Sequence, residues 1–260
     1  MSDVVKAERN NGILEIILNR PDSLNAMNEA LIEGLLQRVE EAHAAEVRAV
    51  LIRGEGRGFC AGGDIRQFAR LLESGQPIPR EMPDRLHEII EHLRELPKPV
   101  LAAVHGPCAG AGFSLVLACD QAIASEESKF NLAYVGIGLS PDGSSSFFLP
   151  RHVGMKKATE IFFTGKNMSA QEVLELGLIN RVVPAADLLE QGRAMARMLA
   201  SGPTAAYARV KQLINSSYEN NLHDQLALEA HHICECSTSE DFRAGIEAFL
   251  AKKTPQFKGR

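Results

Sequence analysis

Short apolar runs alternate with longer amphipathic stretches over much of the chain, and this alternation limits the possible folds more than any other feature of the sequence. The runs Ile13–Leu18, 49–53 and Val100–Val104 are bounded by glycine or proline, and they predict buried strands. Stretches with helical periodicity accompany them at 29–44, 65–72 and 84–96. Because strands separated by helices usually pair in parallel, we predict an α/β protein with a mainly parallel sheet.

The last third of the sequence has a different character. Two further strands are predicted at 121–124 and 178–183, and the pattern after them is helical almost throughout. The helical segments lie at 188–199, 204–217, 223–234 and 240–251. We therefore predict a sheet-containing core at 1–186 and a C-terminal helical region at 187–260 that serves in oligomer assembly.

Composition and charge exclude several classes of protein. The 260 residues include 28 Lys and Arg against 33 Asp and Glu, and the net charge of −5 argues against a general nucleic-acid or membrane-surface binder. Charged residues interrupt the N-terminal segment, so we expect no export signal. The longest apolar runs are far shorter than the roughly 20 residues that cross a bilayer. We expect a cytoplasmic protein.

The cysteines and histidines give no sign of a metal or a disulfide framework. Five cysteines form an odd set without a CxxC pair, and the histidines lack an HExxH spacing. Reduced thiols and no bound metal are therefore expected.

Four loops that follow predicted strands carry unusual residues, at 19–27, 54–64, 105–112 and 138–146. Glycine lets a ligand approach backbone N–H groups, and the second and third loops place several glycines before a predicted helix. A single loop of this kind is more often only a tight turn, but two favour a binding site. Neither loop matches GxGxxG or GxxxxGK[ST], so nucleotide binding is not predicted.

Asp142 is the acidic residue that these loops single out, within the segment Ser140-Pro141-Asp142-Gly143. On local sequence alone, an ordinary turn and helix N-cap explain it better than catalysis does.

Four motifs resemble the enoyl-CoA hydratase/isomerase family, the crotonase superfamily. They are NRPDSLNAM, GRGFCAGGDI, KPVLAAVHGPCAGAGFSLVLACD and GLSPDGSSSFFLPRHVG, in this order. The resemblance implies a crotonase-like ββα superhelix with a C-terminal helical region. It also implies a homotrimer or hexamer and an acyl-CoA thioester as substrate. CoA would belong to that substrate, and no separate cofactor is expected.

The resemblance also implies an oxyanion hole. In the family, two backbone N–H groups bind the thioester carbonyl, and by motif position they are those of Gly63 and Ala111. Two such donors stabilise the enolate that forms when the adjacent carbon loses a proton.

Two positions depart from the pattern of the family hydratases. Their two catalytic glutamates correspond to Ser114 and Tyr134, so ordinary two-glutamate hydration is not expected. Asp142 instead resembles the loop carboxylate of Δ3,Δ2-enoyl-CoA isomerases and of the epoxide isomerases of phenylacetyl-CoA breakdown. One carboxylate suffices for a double-bond shift, and a water-poor pocket would raise its pKa. The expected pocket residues are Tyr134, Leu139, Phe147 and Phe148.

The resemblance places further residues at the substrate. Those expected near CoA or the thioester are Ser23, Leu24, Ala26, Ala61, Gly63, Asp64, Ile65, Arg66 and Gly110, with Tyr134 and Leu139 at the acyl group. The basic tail 251–260 would add positive charge for the CoA phosphates, or would simply be solvated.

Three other functions stay open on the sequence. One is a hydratase with a non-standard acid and base. Another is a dehalogenase with Asp142 as nucleophile, for which His87 and His92 are candidate partners. A catalytically silent acyl-CoA-binding or RNA-binding protein is the third, although the acidic balance disfavours RNA.

Overall fold

The computed structural model describes residues 4–260, and in them nine strands form two sheets. The strands are β1 Val5–Asn10, β2 Ile13–Leu18, β3 Ala49–Gly54, β4 Val100–Val104, β5 Pro107–Ala109, β6 Gln121–Ser125, β7 Lys129–Asn131, β8 Met168–Ser169 and β9 Arg181–Val183. The helices are α1 Glu29–Glu40, α2 Ile65–Glu73, α3 Glu81–Glu95, α4 Ala111–Ala118, α5 Ser145–Val153, α6 Met155–Thr164, α7 Ala170–Glu175, α8 Leu188–Ser201, α9 Thr204–Ser216, α10 Leu222–Cys236 and α11 Glu240–Leu250.

The larger sheet has the strand order β1-β2-β3-β4-β6-β9. Its pairs are parallel except for β1 with β2, and Ile13 lies opposite Ala49 in the β2 and β3 register. Strands β2, β3 and β4 are almost wholly buried, which is why they read as continuous apolar runs. β1 was not predicted, because its sequence VKAERN is mostly polar, as suits an exposed edge strand.

The smaller sheet has the strand order β5-β7-β8. Strand β4 leads to β5 and then to α4, and β6 leads to β7 before the next helices. Cys60 makes a single parallel bridge to Cys108 of β5, so the chain after β3 contributes one residue to the same layer. The repeat of two strands and a helix is the ββα arrangement that was predicted.

The C-terminal helices differ in how they are packed. In α8, Met195 and Ala196 join Leu51, Leu101 and Ile123 in one buried cluster, so this helix covers the sheet. Helices α9 to α11 instead leave many large apolar side chains exposed. Among these are Val210, Ile214, Leu222, Leu226, Ile233, Phe242, Ile246, Phe249 and Leu250. The division at residue 187 and the role in assembly stay predictions.

The C-terminal tail is not a free basic arm. The buried carboxylate of Asp241 accepts hydrogen bonds from the N–H groups of Lys258 and Gly259, at 2.6 and 2.8 Å. Lys258 and Arg260 also pair with Glu240. Of the four cations in the tail, Lys252, Lys253, Lys258 and Arg260, the last two are therefore engaged within the chain.

Several element boundaries differ from the prediction. The strand predicted at 178–183 covers only Arg181–Val183, and α6 was not predicted. Helix α3 begins at Glu81 and not at Asp84, because Pro83 falls in the first turn, where its missing N–H costs no hydrogen bond. None of the helices within residues 4–260 combines the length and apolar character needed to cross a membrane.

Candidate active site

The two glycine-rich loops touch each other at Gly62. An added Cβ at Gly62 would lie 2.9 Å from the carbonyl oxygen of Ala109 and 3.4 Å from the Cα of Gly110. Gly62 also has a φ of +93°, a conformation that other residues rarely adopt. Glycine is therefore required here for the second and third loops to meet.

Gly63 and Ala111 are the residues that come next in sequence after the two contacting glycines, Gly62 and Gly110. Ala111 is the first residue of α4, where the N–H has no partner within the helix. Within residues 4–260, neither N–H donates to an acceptor of the chain. Each amide thus remains available to a ligand oxygen, and the N-terminus of α4 adds positive potential beside Ala111.

The loop at 19–27 holds the second loop in place through Asn25, a fully buried residue. Its Nδ2 donates to the carbonyl oxygens of Glu55 and Gly58, at 3.0 and 2.8 Å, and its Oδ1 accepts from the Arg20 N–H. Asn25 has a φ of +56°, which asparagine tolerates better than most residues. Sequence reasoning missed this residue, although its type and its position in a loop motif were visible.

Asp64 caps α2 and pairs with Arg20. Its Oδ1 accepts from the N–H groups of Arg66 and Gln67, and its Oδ2 lies 2.9 Å from Arg20 Nη2. Burial raises the pKa of Asp64, but the hydrogen bonds and charge of Arg20 outweigh burial and hold the pKa below its usual value. Both carboxylate oxygens of Asp64 therefore have partners within the chain. A contact between Asp64 and CoA stays a prediction.

The other residues predicted to lie near CoA belong to the loops 19–27 and 54–64 or to the start of α2. Arg20 donates to the carbonyl of Ala26, and the Ser23 hydroxyl donates to the carbonyl of Arg20 at 3.1 Å. The Ala61 N–H donates to the Leu24 carbonyl at 3.0 Å. Ile65 and Arg66 are exposed at the start of α2. The structure brings these residues together, and their roles in binding stay predictions.

The Asp142 loop is attached to α4 through its peptide carbonyl. Ser114 Oγ lies 2.9 Å from the carbonyl oxygen of Asp142 and 3.2 Å from that of Gly110, so one hydroxyl joins the two loops. Tyr134 OH also donates to the Asp142 carbonyl, at 3.0 Å, and lies 2.9 Å from Ser114 Oγ. The backbone of Asp142 therefore lies close to the Gly110–Ala111 peptide, which carries the Ala111 N–H.

His87, on α3, is the side chain that contacts the Asp142 carboxylate. Its Nε2 lies 2.6 Å from Asp142 Oδ1, and the side chains are 47% and 34% exposed. His92 instead packs edge-on against His43, so of the two candidate partners it is His87 that reaches Asp142. The prediction of a water-poor pocket around Asp142 is wrong for the single chain, because the carboxylate is partly exposed and pairs with a polar side chain.

A cavity of about 1130 Å³ opens beside this pair. Asp142, His87, Phe147 and Phe148 line it, whereas Tyr134 and Leu139 are not among the described residues that do so. Phe147 is exposed and carries the Arg151 guanidinium 3.4 Å from its ring centroid. Two of the four residues predicted for the acyl pocket therefore share a cavity with Asp142, and the other two do not line it.

Together these groups can bind and polarise a carbonyl and move a proton. Two unpaired amides supply hydrogen bonds to an oxygen that gains negative charge, and a carboxylate with an adjacent imidazole can take or return a proton. The paired carboxylates of a two-glutamate site are absent from positions 114 and 134, where the hydroxyl oxygens of Ser114 and Tyr134 lie 2.9 Å apart.

Comparison with known proteins identifies the family of the chain. The sequence pattern of the family described as enoyl-CoA hydratase/isomerase matches residues 8–260. A probable enoyl-CoA hydratase of Rhodobacter capsulatus is 38% identical over 256 residues, covering 98% of each chain. The 1,2-epoxyphenylacetyl-CoA isomerase of Escherichia coli is 35% identical and covers both chains fully.

A solved structure shares the fold. The crystal structure of an enoyl-CoA hydratase from Polaromonas sp. JS666 superposes with a TM-score of 0.93 at 36% identity, covering 98% of this chain and 99% of that one. The predicted crotonase-like architecture is thereby confirmed. The chain belongs to the enoyl-CoA hydratase/isomerase family.

Proposed function

We propose that this protein is an acyl-CoA isomerase that shifts a carbon–carbon double bond in an enoyl-CoA. Asp142 is the acid and base, and the N–H groups of Gly63 and Ala111 bind the thioester oxygen. The observation that carries this proposal is the position of the Ser114 hydroxyl, which lies within hydrogen-bond distance of both the Asp142 carbonyl and the carbonyl of the Gly110–Ala111 peptide. The acyl group is aliphatic or aromatic.

The proposed reaction needs one proton-transfer group. In a 3-enoyl-CoA, the Asp142 carboxylate removes a proton from C2, and the electrons of that C–H bond form the enolate. The negative charge collects on the thioester oxygen, where two amide donors stabilise it. Asp142 then returns the proton to C4, which leaves the double bond between C2 and C3.

The names of the relatives include both hydratases and an isomerase. They therefore support the enzyme family but do not distinguish hydration from isomerisation. The R. capsulatus relative is named a hydratase and one from E. coli an isomerase. We favour isomerisation because Ser114 and Tyr134 stand where the family hydratases have glutamates, and neither is a carboxylate.

Replacement of Asp142 by asparagine tests this function. The change keeps the shape of the side chain and removes the base, so we expect kcat for conversion of a 3-enoyl-CoA to the 2-enoyl isomer to fall by a factor of about 10² or more. Asp84→Asn, an exposed carboxylate on α3, is the matched control and should leave the rate unchanged. Equal rates in the wild type and Asp142→Asn would reject the proposed role.

A second candidate function follows from the contact between His87 and Asp142. It is substitution on an aryl-CoA ring. The Asp142 carboxylate attacks the ring carbon, the halide leaves with its bonding electrons, and water hydrolyses the resulting aryl ester with His87 accepting a proton. Halide release from a 4-halobenzoyl-CoA, measured beside the isomerase assay, separates the two functions.

We further propose a cytoplasmic homotrimer or hexamer that uses no cofactor beyond the CoA of its substrate. The exposed apolar side chains of α9 to α11 support assembly through the region 187–260, because such surfaces are usually buried between subunits. Sedimentation velocity at micromolar concentration gives the number of subunits, and a monomer there would contradict this assignment.

A further inference from the structure

Three hydroxyl groups converge on one backbone oxygen, the carbonyl of Asp142. Ser114 on α4, Tyr134 on the 3₁₀ helix Ala133–Ile137 and Ser145 on α5 place their oxygens 2.9, 3.0 and 3.0 Å from it. We call these three residues the hydroxyl clamp. The clamp connects α4, the 3₁₀ helix and α5 at Asp142, the residue whose side chain is the proposed base.

The clamp is dry and its donors stay protonated. Ser114 and Ser145 are fully buried, and Tyr134 is 8% exposed. Burial raises the pKa of Tyr134 far above its usual value, and the negative charge of Asp142 raises it further, although the contact with the Ser114 hydroxyl opposes this. Tyr134 therefore remains a neutral hydrogen-bond donor at physiological pH.

The clamp connects the backbone of Asp142 to the Gly110–Ala111 peptide by a short path. Ser114 lies one helical turn after Gly110, whose carbonyl its hydroxyl also meets. An added Cβ at Gly110 would lie 4.0 Å from the Cζ atom of Tyr134, so the tyrosine ring packs beside the same peptide. A shift of either residue would change the distance from Asp142 to the Ala111 amide.

We infer that Ser114 and Tyr134 are positioning residues that hold Asp142 at a fixed place relative to the two amides. This inference rests on the proposed function, in which Asp142 and the amides act on one thioester. The two positions that hold proton-transfer glutamates in family hydratases thus have a mechanical role in this chain. Neither hydroxyl takes part in the proton transfer itself.

The test uses Tyr134→Phe and Ser114→Ala, with Ser128→Ala as the control. Ser128 is also fully buried and also donates to a backbone carbonyl, that of Val104 on β4. We expect each clamp variant to lower kcat for the double-bond shift by about tenfold to about a hundredfold, because small displacements of a base have effects of this size. KM, and the Kd for a saturated acyl-CoA, should change by less than about twofold.

A spectroscopic measurement makes the test independent of turnover. His87 contacts the Asp142 carboxylate, so movement of the loop changes the surroundings of its imidazole. We expect the NMR signals of the His87 ring to shift in both clamp variants and to keep their wild-type positions in Ser128→Ala.

The outcomes separate this inference from the proposed function. Full kcat and unshifted His87 signals in both clamp variants would overturn the positioning role, even if Asp142→Asn abolishes isomerisation. A rise in Kd without a loss of kcat would also overturn it, since that result assigns the hydroxyls to binding. Wild-type protein that isomerises no 3-enoyl-CoA would reject the proposed function, and the His87 signals would still decide whether the clamp holds the loop.

Discussion

Replacement of Gly112 by alanine is expected to lower kcat by a factor of about 10² to 10³, the size measured when an enzyme loses one oxyanion donor. A Cβ at Gly112 would lie 2.5 Å from the carbonyl oxygen of Cys60 and 2.7 Å from its Cβ. Cys60 is fully buried, and its backbone forms a β-bridge with that of Cys108, so its displacement would disturb the smaller sheet. The first turn of α4 must shift instead, and the Ala111 N–H shifts with it.

The control for this prediction is Gly245→Ala on α11. The added methyl there meets the Phe257 ring at 3.6 Å, an ordinary contact, and alanine favours a helix more than glycine does. We expect wild-type kcat from this variant. Circular dichroism and thermal unfolding of both variants show whether the chain is folded. A folded Gly112→Ala protein with wild-type kcat would contradict the assignment of the Ala111 amide to the oxyanion hole.

Local sequence predicted the parts of the fold that depend on local patterns. Strand β2 and strand β4 were predicted with their observed bounds, because buried parallel strands are continuous apolar runs. Ser169 is the N-cap of helix α7 and forms with Glu172 the capping box that the sequence Ser-Ala-Gln-Glu indicates. The two amides of the site, by contrast, carry no side-chain signature, so only the resemblance of their motifs pointed to Gly63 and Ala111.

The contacts that build the site are long-range, and local patterns do not encode them. His87 lies on the polar face of α3, where it resembles any solvated residue, yet 55 positions separate it from its partner Asp142. Asn25 reaches Gly58 across 33 positions. Ser114 and Tyr134 were identified as departures from a hydratase, but their hydrogen bond to each other and to the Asp142 loop needed the folded chain.

A buried ionic network on β2 gives the second large effect. Glu15 is 6% exposed, and its carboxylate lies 2.5 Å from Arg53 Nε and 2.9 Å from Arg193 Nε. Burial raises the pKa of Glu15, but the hydrogen bonds from Arg193 and Arg53 outweigh burial and hold the pKa below its ordinary value of 4.5. The network fastens α8, which carries Arg193, to the sheet.

Glu15→Gln is expected to lower the free energy of unfolding by about 3 kcal/mol, because it leaves two guanidinium groups without their shared counter-charge. For a chain of this size that loss corresponds to a fall in Tm of about 6 °C, measured by calorimetry. Glu8→Gln is the matched control. Glu8 is 61% exposed and 3.9 Å from Arg193, so its replacement should change stability by less than about 0.5 kcal/mol.

The pH dependence of the Tm difference between the wild type and Glu15→Gln tests whether that difference is electrostatic. A carboxylate whose folded-state pKa is lowered contributes stability that is present above its unfolded-state pKa and is lost as pH falls through the folded-state value. The Tm gap between the wild type and Glu15→Gln should therefore be full at pH 7 and narrow progressively below the ordinary value of 4.5. A gap that stayed constant from pH 7 to pH 3 would show that glutamine disturbs packing on β2, and that the charge of Glu15 contributes little.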